Sequence, residues 1–102
     1  MEITMHAATH IVGRTRMSIE SILSIISNGA TVDLGRNDNV RFLLFYSAPD
    51  STSKVALVDD TGILVSIWEK NFRFPNGVKR VTHKQEELVR RLFEESLPDS
   101  GR

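Results

Sequence analysis

Apolar residues recur at helical spacing in the first part of the chain and in short strand-like segments in the next part, and the change comes near residue 30. The first spacing is three and four residues, as on one face of an α-helix, and it includes Ile19, Ile22, Leu23 and Ile26. Ser18 can cap the start of this helix, and Asn28-Gly29 is a typical left-handed stop at its end. The pattern predicts an amphipathic helix that must pack against another element.

From residue 31 onward the apolar residues occur in short β-rich segments. These are "TVDL", "VRFLLFY", "KVALVD" and "ILVSIW", connected by the turn segments "GRNDN", "SAPDSTS" and "DTG". Parallel strands need a long crossover connection, whereas these connections are short, so neighbouring strands should be antiparallel. The sequence therefore predicts a four-stranded antiparallel meander.

Side chains alternate between the two faces of a strand, and in these strands apolar residues occupy both faces. In "VRFLLFY" one face receives Val40, Phe42, Leu44 and Tyr46, and the other receives Arg41, Leu43 and Phe45. In "ILVSIW" the same alternation sets Ile63, Val65 and Ile67 against Leu64, Ser66 and Trp68. A sheet that is apolar on both faces needs other elements to cover it.

The C-terminal third predicts a further helix. Thr82 and Gln85 have capping-box spacing, and an apolar stripe follows at Leu88, Val89, Leu92, Phe93 and Leu97, with Pro98 ending the helix. On its solvent side we expect the i, i+4 ion pairs Glu86 with Arg90 and Glu87 with Arg91. Residues 4 to 16 are interpreted as a short helix, although Gly13 and three threonines are poor helix formers.

These elements together predict an α+β fold. It has two N-terminal helices, a four-stranded antiparallel meander sheet and a C-terminal helix packed on the sheet. The length of 102 residues suits one domain, taken as residues 1 to 97, followed by a flexible C-terminal tail at residues 98 to 102. With no export signal and no long apolar segment, we expect a cytoplasmic protein that is not inserted in a membrane.

Composition limits the chemistry available to the chain. The absence of cysteine excludes disulfides, thiolate metal sites and a cysteine nucleophile. No glycine-rich phosphate-binding motif is present, so a nucleotide-dependent mechanism has no support. His6 and His10 have the spacing of a zinc-binding pair, but zinc needs further ligands, and we expect no metal and no other cofactor.

The 13 basic and 13 acidic residues cancel, so any attraction to a polyanion must come from local clustering. Between residues 70 and 84 there are five cations and no acidic residue. Cations contact phosphates, and exposed rings stack on single-stranded bases. The RNA-binding candidates are therefore Arg73, Lys79, Arg80, Lys84, Phe72 and Phe74. The alternative is that the two phenylalanines anchor the loop to the core and the lysines are simply solvated.

Residues 5 to 18, "MHAATHIVGRTRMS", hold the candidate catalytic residues. On a helix, His6, His10 and Arg14 project from one face about a turn apart, and Arg16 lies nearly opposite Arg14. A histidine can act as general base near neutral pH, and an arginine can stabilise a phosphorane. That combination suits RNA cleavage without a metal. The alternative is that these are ordinary surface or partly buried helix residues.

The line "H-x3-H-x3-R-x-R-M-S-I-E-S-I-L-x-I-I-x-N-G", followed by "RFLLFY", "KVALVDD" and "ILVSIWE", resembles a widespread uncharacterised bacterial domain over roughly residues 4 to 69. That domain is similar in layout to the small ribonuclease toxins of the barnase, colicin and RelE type. The resemblance implies a bacterial, toxin-like α+β protein whose N-terminal helix supplies active-site residues, here His6 or His10, Arg14 and Arg16. Members often have threonine in the last strand, where this chain has Ser66.

Two hypotheses about function follow. The first is a metal-independent ribonuclease, or an inactive relative of one, with RNA as its partner. The second is a non-enzymatic interaction module that binds a protein or forms a homodimer, with the same residues in structural roles.

Overall fold

The computed structural model describes residues 2–3 and 5–96, without the side chains at positions 2, 3, 6, 7 and 10–12. Its elements in chain order are β1 (Glu2–Ile3), α1 (Met5–Arg14), α2 (Ile19–Ser27), β2 (Val32–Asn37), β3 (Val40–Ser47), β4 (Thr52–Asp59), β5 (Ile63–Glu69) and α3 (His83–Ser96). Leu97 and the predicted tail at 98 to 102 lie outside the described residues. Within those residues, no helix has the length and apolar character needed to cross a membrane.

The α+β class, the antiparallel meander and the C-terminal helix are confirmed. Strands β2, β3, β4 and β5 pair in antiparallel fashion in chain order. The sheet also includes β1, which pairs in parallel with β5 and gives the order β1-β5-β4-β3-β2. This fifth strand was not predicted, because two residues are too short to show a periodic pattern.

One face of the sheet, here called the α2 face, packs against α2 and the residues just before it. Leu43, Phe45, Ala56 and Val58 belong to its buried cluster, together with Met17, Ile22 and Ile25. The helix is capped as predicted, since the Ser21 amide donates to Ser18 Oγ at 3.1 Å. The chain thus passes from β1 at one sheet edge to β2 at the other through α1 and α2.

The opposite face, here called the α3 face, carries the alternate residues of the same strands. Its buried cluster comprises Leu34, Phe42, Leu44, Val55, Leu57 and Val89, the last contributed by α3. Phe74, Val78 and Val81 from the segment before α3 also pack against this cluster. We call that segment, residues 70–81, the strap. The prediction that both faces of the sheet are apolar and covered is confirmed.

The predicted alternation in β5 is wrong, because the strand contains a bulge. Leu57 pairs with Ser66 and the next residue, Val58, pairs with Leu64, so Val65 is an extra residue in the ladder. As a result Leu64 and Ile67 both belong to the α2-face cluster, whereas Val65 and Trp68 pack on the α3 face. The bulge is what places Trp68 beside the strap.

Helix α3 begins with the predicted capping box. The Thr82 amide donates to Gln85 Oε1 at 2.9 Å, and the Gln85 amide donates to Thr82 Oγ1 at 3.2 Å. The predicted ion pairs at Glu86 and Glu87 are wrong. Glu86 turns toward the sheet, where it accepts hydrogen bonds from Ser53 Oγ and Lys70 Nζ. The described i, i+4 pairs on α3 are instead His83 with Glu87 and Arg90 with Glu94.

The far end of the strap closes against the free edge of β2. The Lys79 amide donates to the Leu34 carbonyl at 2.8 Å, and Gly35 forms an isolated bridge with Val78. Gly35 and Gly77 both have positive φ, and a Cβ on either residue would overlap backbone carbonyl atoms of the other segment. Glycine is therefore required at both positions.

Candidate nucleic-acid interface

The strap borders a concave surface of about 790 Å³ that we call the basic cleft. It is lined by strap residues from Lys70 to Val81, without Lys79, and by Glu86 at the start of α3. Lys70 is neutralised by its ion pair with Glu86. Arg73 and Arg80 are exposed and have no carboxylate partner among the described residues. Two cations are thus available to an anionic ligand in the cleft.

Of the six predicted RNA-binding residues, four line the basic cleft: Phe72, Arg73, Phe74 and Arg80. Phe72 keeps 38% of its surface exposed, although its ring contacts Trp68. Lys79 is exposed at the β2 edge, and Lys84 lies on the outer surface of α3. The structure therefore brings the arginines and phenylalanines together and places the two lysines outside the cleft.

A second concavity of about 520 Å³, here called the aromatic pocket, adjoins the basic cleft. Its floor contains the rings of Phe42, Trp68 and Phe74, and the two surfaces share Arg73, Phe74 and Pro75. The ring centroids of Phe42 and Trp68 are 5.3 Å apart in an edge-to-face arrangement. The alternative interpretation of Phe74 as a loop anchor also has support, because its ring packs on the buried Phe42.

The rim of the aromatic pocket is formed by the β2–β3 hairpin. Asn37 Nδ2 donates to the Asn76 carbonyl at 3.0 Å and so fastens the hairpin to the strap. Asp38, at the turn, has φ +53° and is exposed. Its carboxylate has no hydrogen-bond or ion-pair partner among the described residues. The pocket therefore combines an apolar floor with an anionic group and the cationic Arg73 at its mouth.

Arg14, a candidate catalytic residue, joins α1 to this surface. Its Nη1 donates to the Ile67 carbonyl at 2.7 Å, and its guanidinium carbon lies 5.0 Å from the centre of the Phe72 ring. These contacts anchor α1 to β5 and to the strap. Arg14, the last residue of the predicted N-terminal site, thus lies beside Phe72 of the predicted RNA-binding loop.

The side chains of His6 and His10 lie outside the described residues. Their backbone belongs to α1, two turns and one turn before Arg14. Arg16 lies beyond the end of the helix with its side chain exposed, and its amide donates to Asp50 Oδ2 at 3.1 Å. The catalytic role of His6, His10 and Arg14 stays a prediction.

A buried polar cluster fixes the segment that follows α1. Ser47 Oγ donates to Asp50 Oδ2 at 2.6 Å, and the same oxygen accepts from Thr15 Oγ1 and from the Arg16 amide. Burial acts to raise the pKa of Asp50, but the hydrogen bonds from Ser47, Thr15 and Arg16 outweigh it and lower the pKa. This cluster ties the connection between α1 and α2 to the β3–β4 turn.

Glu86 fastens the near end of the strap to α3 and the sheet. Burial acts to raise its pKa, and the hydrogen bonds from Lys70 and Ser53 outweigh that effect, so the carboxyl pKa lies below its ordinary value. Ser53 is almost fully buried, which holds the carboxylate at the sheet surface. Among the side chains that the structure describes, no three His, Asp or Glu residues come together as a metal site.

Asn37, Asp38, Trp68 and Glu86 belong to this surface but are not among the residues that the sequence predicts for it. The sequence pattern predicts Asn37 and Asp38 in a connecting turn and Glu86 on the solvent side of α3. One feature of the sequence could have indicated that Glu86 faces this loop. Lys70 is the first of the five cations between residues 70 and 84, and it directly follows the half-buried end of β5, where a charged group favours an acidic partner.

Comparisons with protein-family models, with curated proteins and with solved structures find no match to this chain.

Proposed function

We propose that this protein binds single-stranded RNA through the basic cleft and the neighbouring aromatic pocket. The observation that supports the proposal is the position of Arg73 and Arg80, two exposed cations that pair with no described carboxylate, beside the partly exposed ring of Phe72. Guanidinium groups bind phosphates, and an aromatic ring stacks on an unpaired base.

The geometry favours a single strand over a duplex. The rings of Phe72 and Phe74 can stack only on bases that have been turned out of a helix. The chain has no net charge, so attraction to the RNA backbone depends on the few cations of the cleft. We therefore expect modest affinity with a clear dependence on salt.

Fluorescence anisotropy with a labelled single-stranded RNA of mixed sequence tests this proposal. Arg73→Ala and Arg80→Ala should each weaken binding, and each should reduce the slope of log K against log salt by about 0.7, the value for one phosphate contact on a single strand. Arg91→Ala is the matched control, because Arg91 is exposed on the outer side of α3. Equal affinity for wild type and both cleft variants, or tighter binding to the corresponding duplex, would contradict the proposal.

A second candidate function is RNA cleavage without a metal, and the contact between Arg14 and Phe72 favours it. RNA held on Phe72 would lie beside the end of α1 that carries Arg14, one turn after position 10. In such a reaction one group takes the proton of the 2′-hydroxyl as the O2′–P bond forms. A second group returns a proton to the leaving 5′-oxygen as the P–O5′ bond breaks, and Arg14 would stabilise the phosphorane.

Incubation of the purified protein with RNA in EDTA separates cleavage from binding. Wild type should release fragments that end in a 2′,3′-cyclic phosphate, and His10→Ala should lose that activity while still binding RNA. Cleavage by His10→Ala at the wild-type rate would remove His10 from the mechanism. If the wild-type protein binds RNA without cleaving it, the result would support an inactive relative of a metal-independent ribonuclease. A protein that does neither, and is a dimer by light scattering, would support the interaction module.

A further inference from the structure

We propose that the aromatic pocket binds one nucleobase and prefers bases with an exocyclic amino group, namely adenine, cytosine and guanine, over uracil. This inference rests on the proposed RNA-binding function, since it assigns a base site next to the phosphate-binding cleft. It assigns a binding role to Asp38 and Trp68, which are not among the RNA-binding residues predicted from the sequence.

The size and floor of the pocket suit a flat heterocycle. Its volume of about 520 Å³ lies within the range of sites for small molecules, which are mostly apolar with a few polar groups at defined positions. Trp68 and Phe74 are nearly parallel, with an angle of 18° between their rings, and both are partly exposed. Phe42 and Leu57 close the floor and are buried in the α3 face. A base entering the pocket thus meets aromatic surface instead of water.

The polar groups at the rim give the pocket its chemical preference. The Asp38 carboxylate accepts hydrogen bonds and cannot donate them. Adenine N6, cytosine N4 and guanine N2 each present an amino donor, whereas the only base-pairing donor of uracil is N3–H, which lies between the two carbonyl oxygens O2 and O4. Asp38 has no other described partner, so no existing hydrogen bond has to break when a base binds. Uracil can donate N3–H to this carboxylate only by bringing its flanking carbonyl oxygens toward the negative charge, where they repel it and lose their hydrogen bonds to water.

The position of Asp38 is fixed by its neighbours. Asn37 is hydrogen-bonded to the Asn76 carbonyl of the strap, and Val40 begins the next strand in register with Asn37. Arg73 lines the same pocket and also lines the basic cleft. A phosphate on Arg73 would therefore be adjacent to the base in the pocket, as within one nucleotide.

Titration of the protein with AMP, CMP, GMP and UMP tests the inference directly. Trp68 is the only tryptophan, so the NMR signal of its indole N–H reports on the pocket without ambiguity. The three amino-bearing nucleotides should shift this signal and bind about tenfold or more tightly than UMP, the lower end of the factor expected for one hydrogen bond to a charged group. Asp38→Asn should abolish the preference, because an amide can both donate and accept. Glu95→Gln, which exchanges an exposed carboxylate on α3, should leave the preference unchanged.

Equal binding of all four nucleotides, or a preference that persists in Asp38→Asn, would overturn the inference. RNA binding without any nucleotide effect on the Trp68 indole would also overturn it, while leaving the proposed function intact. Conversely, selective nucleotide binding in a protein that fails to bind RNA would support the pocket assignment and contradict the proposed function. Phe74→Leu should weaken the binding of all four nucleotides by the same factor. This result would separate loss of the aromatic floor from loss of base selectivity.

Discussion

The guanidinium of Arg14 lies over the ring of Phe72 and donates a hydrogen bond to the carbonyl of Ile67. One side chain thus connects α1, the end of β5 and the first residues of the strap. Both contacts use the planar, permanently charged guanidinium, and a lysine ammonium cannot reproduce them together. The link has consequences for stability as well as for RNA binding.

Arg14→Ala should lower the free energy of unfolding by about 1–3 kcal/mol, because it leaves the Ile67 carbonyl without this charged donor and removes the cation–π contact. Arg14→Lys should lower the free energy of unfolding by less than Arg14→Ala and by more than the control variant Arg16→Ala. Urea unfolding followed by Trp68 fluorescence measures these differences. Arg16→Ala is the control, with a change within about 0.5 kcal/mol, since that side chain is exposed and has no described contact. Equal stability of Arg14→Ala and Arg16→Ala would show that the Arg14 contacts are not stabilising.

Gly35→Ala and Gly77→Ala should be strongly destabilising, because each adds a methyl group against the backbone of the other segment. Gly29 also has positive φ but has open space around it, so Gly29→Ala measures the backbone strain alone, about 1–2 kcal/mol. We expect Gly35→Ala and Gly77→Ala each to lower the free energy of unfolding by more than this. Gly13→Ala, inside α1 with open space, should instead stabilise by up to about 1 kcal/mol. Thermal unfolding of the four variants gives the comparison, and equal losses at Gly29 and Gly35 would contradict the close approach.

Asp50→Asn should reduce stability at neutral pH and weaken its dependence on pH. The folded-state pKa of Asp50 is lowered, so its stabilising contribution is present above the pKa of the unfolded chain. That contribution is lost as the pH falls through the lowered folded-state pKa. Urea unfolding between neutral and acidic pH should therefore show the two proteins converging at low pH. Asp38→Asn, at an exposed position with no partner in the described part of the chain, should keep the wild-type dependence of unfolding free energy on pH. The same unchanged dependence in Asp50→Asn would show that the cluster with Thr15 and Ser47 does not form.

Glu86→Gln should have opposite effects on stability and on RNA binding. Loss of the charged hydrogen bonds to Lys70 and Ser53 should cost about 1–2 kcal/mol of unfolding free energy. The same change releases Lys70 and removes a negative charge from the basic cleft, so affinity for RNA should rise. Glu87→Gln is the control, because Glu87 pairs with His83 at an exposed position where ion pairs contribute little. A fall in RNA affinity for Glu86→Gln would mean that the strap must stay fastened for binding.

Periodic patterns in the sequence predicted the parts of the fold that depend on local order. The helix stop at Asn28-Gly29, the capping box at Thr82 and the two apolar faces of β3 all follow from spacing along the chain. The extra residue Val65 could not be predicted, because a bulge shifts the register without changing residue type. Ile67 consequently shares a face with Leu64, and Trp68 lies toward the strap.

The candidate site could be predicted only where its residues are consecutive. Arg73 and Phe72 belong to one short segment, so composition was enough to find them. Asp38 and Trp68 come from separate hairpins and meet only after the sheet forms. The inward turn of Glu86 depends on Ser53 and Lys70, which are distant in sequence, and helical spacing alone predicts a surface ion pair instead.

Both edges of the four-stranded meander, at β5 and at β2, have part of their backbone occupied. The short strand β1 pairs with Ile63 and Leu64 on one side, and Val78 and Lys79 meet Leu34 and Gly35 on the other. Exposed strand edges are templates for pairing with another chain, which is a common route to aggregation. The strap therefore has a protective role separate from any ligand. A variant that releases it, such as Gly77→Ala, should be more prone to self-association through β2 than its loss of stability alone would predict.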